Sequence, residues 1–308
     1  GMVLMLQKGT FIRPLPEDGS VTPLSPLRIR AEIFYHAVPF TKILFMANLS
    51  LGLLALGWWV YSCMMRGGDK IRNWRSRWRR IWVWAVWMAC LFHWTSYLLR
   101  WYIGGRIPLG NGHETMLFLA GFLLLCTCIW QRRFSFLLPA GLLLSGFTLL
   151  VAYLSEMNPQ ITPLMPVLLS PWLSLHVSLI MVSYALFALM CLCSILALSI
   201  RRHTWQRQRL TLFCRVLLYP AVLCLGIGIF IGAVWANVSW GSYWAWDPKE
   251  VWALITFMLY GMAFHVQSLP RFRNPYFFHW FLIVSFSAIL MTYFGVNYVL
   301  GGMHSYAG

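Results

Sequence analysis

The chain has 308 residues, of which 60% are apolar and only 10% are charged. A soluble domain carries roughly 25% charged residues, so this composition excludes an ordinary soluble protein and indicates a surface that faces lipid. The net charge of +16 would suit a nucleic-acid-binding protein. However, the basic residues are concentrated in short segments between long apolar runs, which favours a membrane protein instead.

The apolar runs are long and unbroken, without the alternation of barrel strands. Only helices and closed barrels satisfy the backbone within lipid, and a spanning helix needs about 20 apolar residues. The sequence therefore predicts an all-α fold, a polytopic transmembrane helical bundle of about eight spans. The spans are predicted at 41–65, 81–100, 115–130, 134–154, 172–200, 211–234, 251–269 and 277–300. The third is short, and we expect its helix to begin in the turn Gly112–Glu114.

Lysine and arginine residues are distributed unevenly between the two sides that eight spans define. Fifteen lie in the segments that follow the first, third, fifth and seventh spans, and only three (Arg100, Arg106 and Lys249) lie in the loops that join spans on the opposite side. Cytoplasmic loops carry the excess of positive charge. We therefore predict that both termini and the loops 101–114, 155–171 and 235–250 lie on the outer side.

The segment before the first span, residues 1–40, has no apolar core and contains Pro14, Pro16, Pro23 and Pro26. Segments punctuated by proline in this way are typical of linkers. We expect an extended external linker that follows a preceding folded domain, and a transmembrane domain over 41–308. The alternative is a separately encoded protein whose first span enters from the outer side.

The stretch 235–252 contains a helix start that local chemistry explains. Asp247 is a favoured N-cap residue, Pro248 suits the first helical position, and Glu250 follows three residues after the cap. These residues predict a capping box that opens the seventh span. Asp247 alone therefore requires no functional explanation.

The same stretch is rich in aromatic residues. Five of them fall within twelve positions: Trp235, Trp240, Tyr243, Trp244 and Trp246. A membrane-interface belt accounts for one or two. We predict that the set forms an external aromatic shelf for a flat, apolar, aromatic ligand.

Two histidines flank this shelf in the predicted topology. His176 lies near the outer start of the fifth span, and His304 follows the outer end of the eighth. Either histidine alone is readily explained as an ordinary interfacial residue. Together with the shelf, the pair predicts the two axial ligands of a six-coordinate haem iron, whose ring needs an apolar bed.

His265 lies 18 residues beyond Asp247, which in a continuous helix places it about 27 Å deeper. It cannot share an iron with the outer pair. Because an ionisable group inside a span is a functional candidate, we predict a second haem-ligand position near the inner side. His93 is expected to bond a neighbouring helix, with a ligand role as the weaker alternative, and the role of His113 stays open.

The run Trp240–Glu250, WGSYWAWDPKE, resembles the WWD signature of haem-handling proteins. Its continuation through Pro-Lys-Glu resembles the CcsA (ResC) branch of System II cytochrome c biogenesis. Further resemblance to that branch lies in Arg100–Glu114 and in Gly295–Tyr306. The resemblance covers about residues 32–308, and 30–35 resembles the junction of fused CcsB–CcsA proteins.

The resemblance implies a cytochrome c synthase component that moves haem b, as ligand and substrate, to the outer face of the bacterial inner membrane. His265 would mark haem entry, and His176 and His304 would hold the iron while the aromatic shelf and Asp247 orient the ring. The implied activity is that of a haem lyase: two thiols of an apocytochrome CxxCH segment add to the haem vinyls. CcsB, fused or separate, is the implied partner and is needed for catalysis. Proteins that keep the thiols reduced are further implied partners, and no nucleic acid is expected.

Two other functions are compatible with the sequence. One is a haem exporter or chaperone that delivers haem without lyase activity. The other is a membrane subunit that transfers electrons to or from quinones through haem b. Such subunits usually hold their histidine pairs inside the helix bundle, whereas the best pair here is predicted to be external.

Overall fold

The computed structural model describes residues 25–64, 69–154, 160–161, 170–199 and 204–300, with the backbone alone for 63–64, 69–76 and 204–206. Within these ranges the chain forms nine α-helices and no β-strand. The helices are α1 Pro26–Ala37, α2 Phe40–Met64, α3 Asp69–Gly104, α4 Gly112–Trp130, α5 Leu137–Leu154, α6 Pro171–Ser199, α7 Thr204–Trp240, α8 Pro248–Met262 and α9 Pro275–Leu290. A short 3₁₀ helix, Pro270–Arg273, precedes α9, and a π-helical segment, Met291–Leu300, continues it.

Seven helical segments of the described chain are long and apolar enough to cross a membrane, which confirms the predicted polytopic helical bundle. They are Phe40–Ser62, Arg77–Gly104, Gly112–Trp130, Leu137–Leu154, Pro171–Ser199, Arg207–Trp240 and Pro275–Leu300. They correspond to every predicted span except the seventh. The third begins where expected, at Gly112, because the Asn111 side chain caps it by accepting a hydrogen bond from Glu114 N at 2.9 Å.

The prediction of one continuous helix over 251–269 for the seventh span is wrong. α8 has 15 residues and ends at Met262, and the next three backbone N–H groups each donate to the carbonyl three residues earlier. Polar residues in 265–268 and Pro270 follow. Proline has no N–H group to donate within a helix, and polar side chains near a turn compete for backbone hydrogen bonds. The helix therefore does not continue through this segment.

Although α8 is short, it runs from one end of the bundle to the other. At its start, Lys249 Nζ donates to Asn297 Oδ1 at 2.8 Å, near the end of the π-helical segment. Beyond its end, the Phe272 carbonyl accepts from Arg215 Nη2 at 3.0 Å, in the first half of α7. In the place of the predicted seventh span, the chain therefore runs along the bundle with a short helix and a turn.

Two segments predicted as loops are partly helical. α3 begins at Asp69, so most of the basic segment 66–80 is helix, consistent with the good helix propensity of lysine and arginine. α7 continues to Trp240, where Gly241, at φ +79, donates its N–H to Asn237 O at 2.9 Å and ends the helix. The loop predicted at 235–250 is therefore shortened to 241–247.

The N-terminal segment also differs from its prediction where it is described. Residues 26–37 form α1 rather than an extended linker, because Pro26 lies in the first helical turn. α1 packs against the end of α3: Arg28 Nε donates to Ile103 O at 2.7 Å, and Tyr35 is only 8% exposed. Residues 1–24 lie outside the described residues, and the domain boundary at 40 stays a prediction.

Close packing around glycines builds the bundle. α2 packs along α5, α6 packs along α7, and α4 contacts both pairs. A Cβ atom on Gly52 or on Gly146 would lie 2.8 Å from a leucine side chain of the opposite helix. Small residues thus bring α2 and α5 together, as they commonly do in membranes. Glycines of α7 allow α6 to pack closely in the same way.

Candidate functional site

A cavity opens at the end of the bundle where α7 ends and α8 begins. It contains about 1260 Å³ of space, part of it open to solvent. Its walls come from the start of α4, from α6, from the last turns of α7, from the 241–247 loop, from α8 and from the π-helical segment. Most of the wall is apolar and is supplied by Leu173, Val177, Ile180, Met181, Ile229 and Ala253.

His176, predicted as an iron ligand, lies in this wall. Its Nδ1 is 2.6 Å from the carbonyl oxygen of Gly228. A carbonyl oxygen can only accept, so Nδ1 carries the proton and Nε2 carries the lone pair. This is the tautomer in which a neutral imidazole binds a metal through Nε2, with the other ring nitrogen held by a backbone carbonyl.

Two glycines on α7 create the space for this imidazole. A Cβ atom on Gly232 would lie 2.5 Å from Cε1 of His176, and one on Gly228 would lie 2.7 Å from Cδ1 of Ile180. Gly228 and Gly232 are four residues apart and so lie on one face of α7. His176 and Ile180 are likewise four residues apart on one face of α6. This Gly-x-x-x-Gly spacing is visible in the sequence and is typical of close helix packing in membranes, so it is a signal from which the close approach of α6 and α7 could be predicted.

The five aromatic residues of the predicted shelf fall into two groups: three line the cavity and two pack against them. Trp235, which is 2% exposed, lines the cavity together with Tyr243 and Trp244. Trp240 packs against Trp235 with ring centroids 5.0 Å apart, and Trp246 packs against Trp244 at 5.9 Å. Both pairs are edge-to-face, so the five rings do not form one flat surface. The reason is that Trp235 and Trp240 belong to α7 rather than to the loop.

The loop that carries Tyr243 and Trp244 is held in a strained conformation. Trp246 has φ +57, a left-handed backbone that is rare for a bulky residue. On either side of it, Glu250 Oε2 accepts the backbone N–H groups of Ala245 at 3.0 Å and Asp247 at 3.2 Å. Such backbone strain persists only where the surroundings impose it. Glu250 therefore fixes the aromatic part of the cavity wall.

The predicted capping box at the start of α8 is confirmed. Asp247 is the N-cap, Pro248 occupies the first turn, and Asp247 Oδ2 accepts from Lys249 N at 3.2 Å. The Asp247 side chain is only 5% exposed and lies behind the cavity wall rather than on it. Its predicted role in orienting a bound ring stays a prediction.

Lys249 is a site residue that sequence reasoning missed. Its side chain lines the otherwise mainly apolar cavity, and its Nζ donates to Asn297 Oδ1 at 2.8 Å. Burial lowers the pKa of Lys249 to about 8, although the neighbouring Asp247 carboxylate partly opposes this shift. The residue lies outside the candidate spans.

A buried ionic cluster positions the opposite wall. Arg100 and Glu114 are each 1% exposed and form a salt bridge of 3.0 Å, and Arg106 bonds the same carboxylate at 2.8 Å. Glu114 Oε2 also accepts the backbone N–H of Gly110 at 2.7 Å. The cluster therefore ties the end of α3 and the start of α4 to the loop between them, and Gly110 lines the cavity.

A hydrogen bond across the bundle joins this wall to the π-helical segment. The Thr115 and Tyr293 hydroxyl oxygens are 2.7 Å apart, and both residues line the cavity. The loop after α3, the start of α4 and the end of the chain's last described pass are thus parts of one site.

The remaining predicted histidines are distributed through the molecule. His265 is exposed in the turn after α8, and the 15-residue helix places it about 22 Å from the cavity end of α8. It does not lie inside a helical span, and its role as a second haem ligand stays a prediction. His304 lies outside the described residues.

His93 and His113 are both buried away from the cavity wall. His93 is 0% exposed, and its Nε2 is 2.9 Å from the Leu117 carbonyl on α4, which agrees with the expected bond to a neighbouring helix. His113 is 3% exposed and its Nε2 is 3.5 Å from the Thr41 hydroxyl. The geometry gives His113 a place between α2 and α4 and leaves its functional role open.

Comparison with known proteins identifies the family. The cytochrome c assembly protein family matches residues 109–304. Protein NrfI of Wolinella succinogenes is 39% identical over 72% of this chain and 25% of its own length, and the cytochrome c biogenesis protein CcsA of Chlamydomonas reinhardtii is 35% identical over 68% and 63%. CcsA of Prochlorococcus marinus is 32% identical over 68% of this chain and 79% of its own length.

This chain thus spans a quarter of the length of NrfI and under two thirds of the Chlamydomonas protein. The matched residues 109–304 include the α4 start, α6, α7, the 241–247 loop and α8, which are the elements that build the cavity. An integral membrane bundle with this cavity, and relatives that cover 68% or more of the chain, lead to one conclusion: the chain belongs to the cytochrome c assembly protein family and is similar to its CcsA members.

Proposed function

We propose that this protein presents haem b at the outer face of the bacterial inner membrane for covalent attachment to apocytochrome c. The observation that carries the proposal is the position of His176 in an apolar, aromatic-walled cavity, with Nδ1 bonded to Gly228 O at 2.6 Å. A porphyrin needs an apolar bed and its iron needs an imidazole Nε2, and both requirements are met in one place. The similar CcsA proteins are named as cytochrome c biogenesis proteins, which supports the same function.

In this proposal His304 supplies the second axial ligand, from the segment that follows the π-helical segment. Trp235, Tyr243 and Trp244 contact the ring, and Asp247 acts through the loop that it caps. His265 marks the opposite end of the route, where haem enters. The CcsB partner, fused or separate, supplies the rest of that entry site.

The chemistry is an addition of thiols to alkenes. The apocytochrome presents a CxxCH segment, and each cysteine thiol adds across one haem vinyl group: sulfur bonds to one carbon of the double bond and the thiol hydrogen goes to the other. The addition balances without an external oxidant or reductant, provided that the thiols arrive reduced by partner proteins. The cavity contributes proximity and orientation, and the apocytochrome histidine then replaces one of the two imidazole ligands.

Two rival functions make different demands on the site. A haem exporter or chaperone needs the cavity but forms no thioether. A quinone-linked haem b subunit needs paired ligands within the bundle, whereas His93 already bonds the Leu117 carbonyl, and His279 bonds the Ser194 and Thr211 hydroxyls. These contacts favour the cavity at the bundle end as the haem site.

Co-expression tests the proposal in cells that lack their own cytochrome c maturation system. The protein and its CcsB partner are expressed with an apocytochrome that carries an export signal, and haem attached covalently is measured after denaturation. We expect attachment to the exported CxxCH protein but neither to a variant without the two cysteines nor to one without the export signal. Haem delivery without thioether formation would indicate the exporter function instead. Attachment to the non-exported form would contradict the outer orientation of the site.

A further inference from the structure

Arg215 is a cation inside a membrane span, and its contacts with the described part of the chain are to neutral groups. It lies eight residues beyond the start of the candidate span Arg207–Trp240, which is about 12 Å along the helix. Its Nη2 donates to the Phe272 carbonyl oxygen at 3.0 Å, and its guanidinium lies 5.4 Å from the centroid of the Phe278 ring. No carboxylate whose side chain the structure describes pairs with it. An arginine within a span is costly and marks a candidate functional site, here one that lacks an anionic partner.

Most of the hydrogen-bonding capacity of this guanidinium is unused by the protein. A guanidinium has five N–H donors, and Arg215 forms one hydrogen bond, to Phe272, within the described ranges. Its Nε is buried without an acceptor there. Buried donors in native structures usually have a partner, which can be a ligand or an ordered water. An anion that accepts several hydrogen bonds would therefore complete the surroundings of Arg215.

The turn that carries His265 lies beside Arg215. Leu269 N donates to the His265 carbonyl at 2.8 Å, and Phe272 N donates to the Leu269 carbonyl at 3.1 Å. The Phe272 carbonyl is the group that accepts from Arg215. A short series of hydrogen bonds thus connects the two residues, which places the imidazole and the guanidinium in one region at the end of the bundle opposite the cavity.

The surface around these two residues is accessible and partly aromatic. Tyr219 lies one helical turn beyond Arg215 on α7. Its ring packs against that of Phe264, the neighbour of His265, with centroids 4.9 Å apart. His265 is exposed and Arg215 is partly exposed. An imidazole, a guanidinium and aromatic rings therefore border a single surface on which a flat acidic ligand can lie.

From this arrangement we infer that Arg215 binds a carboxylate of the ligand whose iron His265 is proposed to hold. The inference deepens the proposed function and rests on it, because the carboxylate is that of a porphyrin side chain at the entry site. Haem carries its iron at the centre of the ring and its carboxylates along one edge. An imidazole and a guanidinium in neighbouring positions therefore determine which edge of the ring faces α7. The bond to Phe272 occupies one donor and leaves others for the carboxylate.

The test compares haem with its dimethyl ester, in which both carboxylates are neutral. Each is titrated by absorbance into the purified full chain with its partner, in a background of His176→Ala and His304→Ala that removes the proposed ligands of the cavity. We expect this background protein to bind haem about tenfold more tightly than the ester, as a charge-assisted hydrogen bond would produce. Adding Arg215→Gln should abolish the preference by weakening haem alone, while Arg215→Lys should keep most of it because the charge remains.

Arg133→Gln is the matched control. It removes one exposed arginine at the same end of the bundle, since the neighbouring Phe134 ring lies 5.9 Å from the guanidinium of Arg209 on α7, and it should keep the tenfold preference. A merely structural role of Arg215 would instead weaken haem and ester alike. That outcome, or an unchanged preference in Arg215→Gln, would overturn the inference while leaving the proposed role of the cavity intact.

The background protein separates failure of the inference from failure of the proposed function. If it binds neither compound while the unmodified protein binds haem, haem does not bind through His265, so the inference fails and presentation of haem at the cavity stands. If the unmodified protein binds no haem either, the proposed function fails and this inference fails with it.

Discussion

The imidazole of His176 is positioned by the absence of side chains on the facing helix. Gly228 supplies its carbonyl as the acceptor, and Gly232 leaves the space that the ring occupies. A methyl group at position 232 would overlap the ring, with a separation of 2.5 Å from Cε1. The interior of a bundle is close-packed, so either the ring or the helix would have to move.

We therefore predict that Gly232→Ala displaces His176 and lowers haem occupancy. Overpacking of this kind costs about 1–3 kcal/mol, and the displaced ring should also alter the axial-ligand spectrum of the purified protein. Gly57→Ala is the matched control, since a Cβ atom there meets nothing within 4 Å. Equal haem content and equal spectra in the two variants would contradict the role given to Gly232.

Local chemistry explains which site residues the sequence could predict. The Asp247 capping box follows from residues that are adjacent in the chain, and His176 could be singled out because it lies near the end of a span that is predicted to face outward. Lys249 was missed because no sequence pattern tells whether a side chain in a capped turn points to solvent or into a cavity. The division of the five aromatic rings was missed for a related reason, since it depends on where α7 ends. The apolar run predicts an end at 234, whereas the helix continues to Trp240.

At the scale of elements, the ends of helices determine the shape of the site. Most apolar spans could be predicted because hydropathy alone identifies them. The ends could not, since α3 and α7 continue beyond the apolar runs while α8 ends early at Met262. Because α8 ends early, His265 lies in an exposed turn rather than in the predicted span. It is still beyond the end of α8 that is opposite the cavity.

The loop between α3 and α4 depends on one carboxylate. Glu114 faces both Arg100 and Arg106 in an almost fully buried cluster, and it accepts the Gly110 N–H. Removing one partner of a buried ion pair leaves the other charge uncompensated, which costs about 3–5 kcal/mol. The sequence showed these residues only as part of a resemblance, because the pairing requires the end of α3 and the start of α4 to meet.

We predict that Glu114→Gln lowers the midpoint of thermal unfolding by several degrees and disturbs the cavity wall formed by the 105–111 loop. The measurement is thermal unfolding in a fixed detergent, followed by circular dichroism. Glu32→Gln, a neutralisation on α1 where the side chain is only partly buried, should change the midpoint little. Equal midpoints for the two variants would show that the cluster contributes nothing to stability.

At the scale of the whole molecule, the candidate haem ligands lie at two ends of one bundle. His176 belongs to the cavity at the start of α8, and His265 follows the end of α8. The composition predicted the membrane bundle because it depends on a sum over many residues, and the 18-residue spacing between Asp247 and His265 predicted that His265 lies far from the start of α8. The cavity itself could not be predicted, because it is formed by side chains from α4, α6, α7, α8 and the π-helical segment that are distant in sequence.

The most direct test of the central claim is the absorbance spectrum of haem bound to the His176→Ala protein, recorded without and with added imidazole. We expect the unmodified protein to give a six-coordinate, low-spin spectrum. The variant should lose that spectrum, and imidazole should restore it by filling the vacated coordination position. His36→Ala, which removes an exposed histidine of α1, should leave the spectrum unchanged. A six-coordinate, low-spin spectrum in His176→Ala without imidazole would contradict the assignment of His176 as an iron ligand and, with it, the account of the cavity as the haem site.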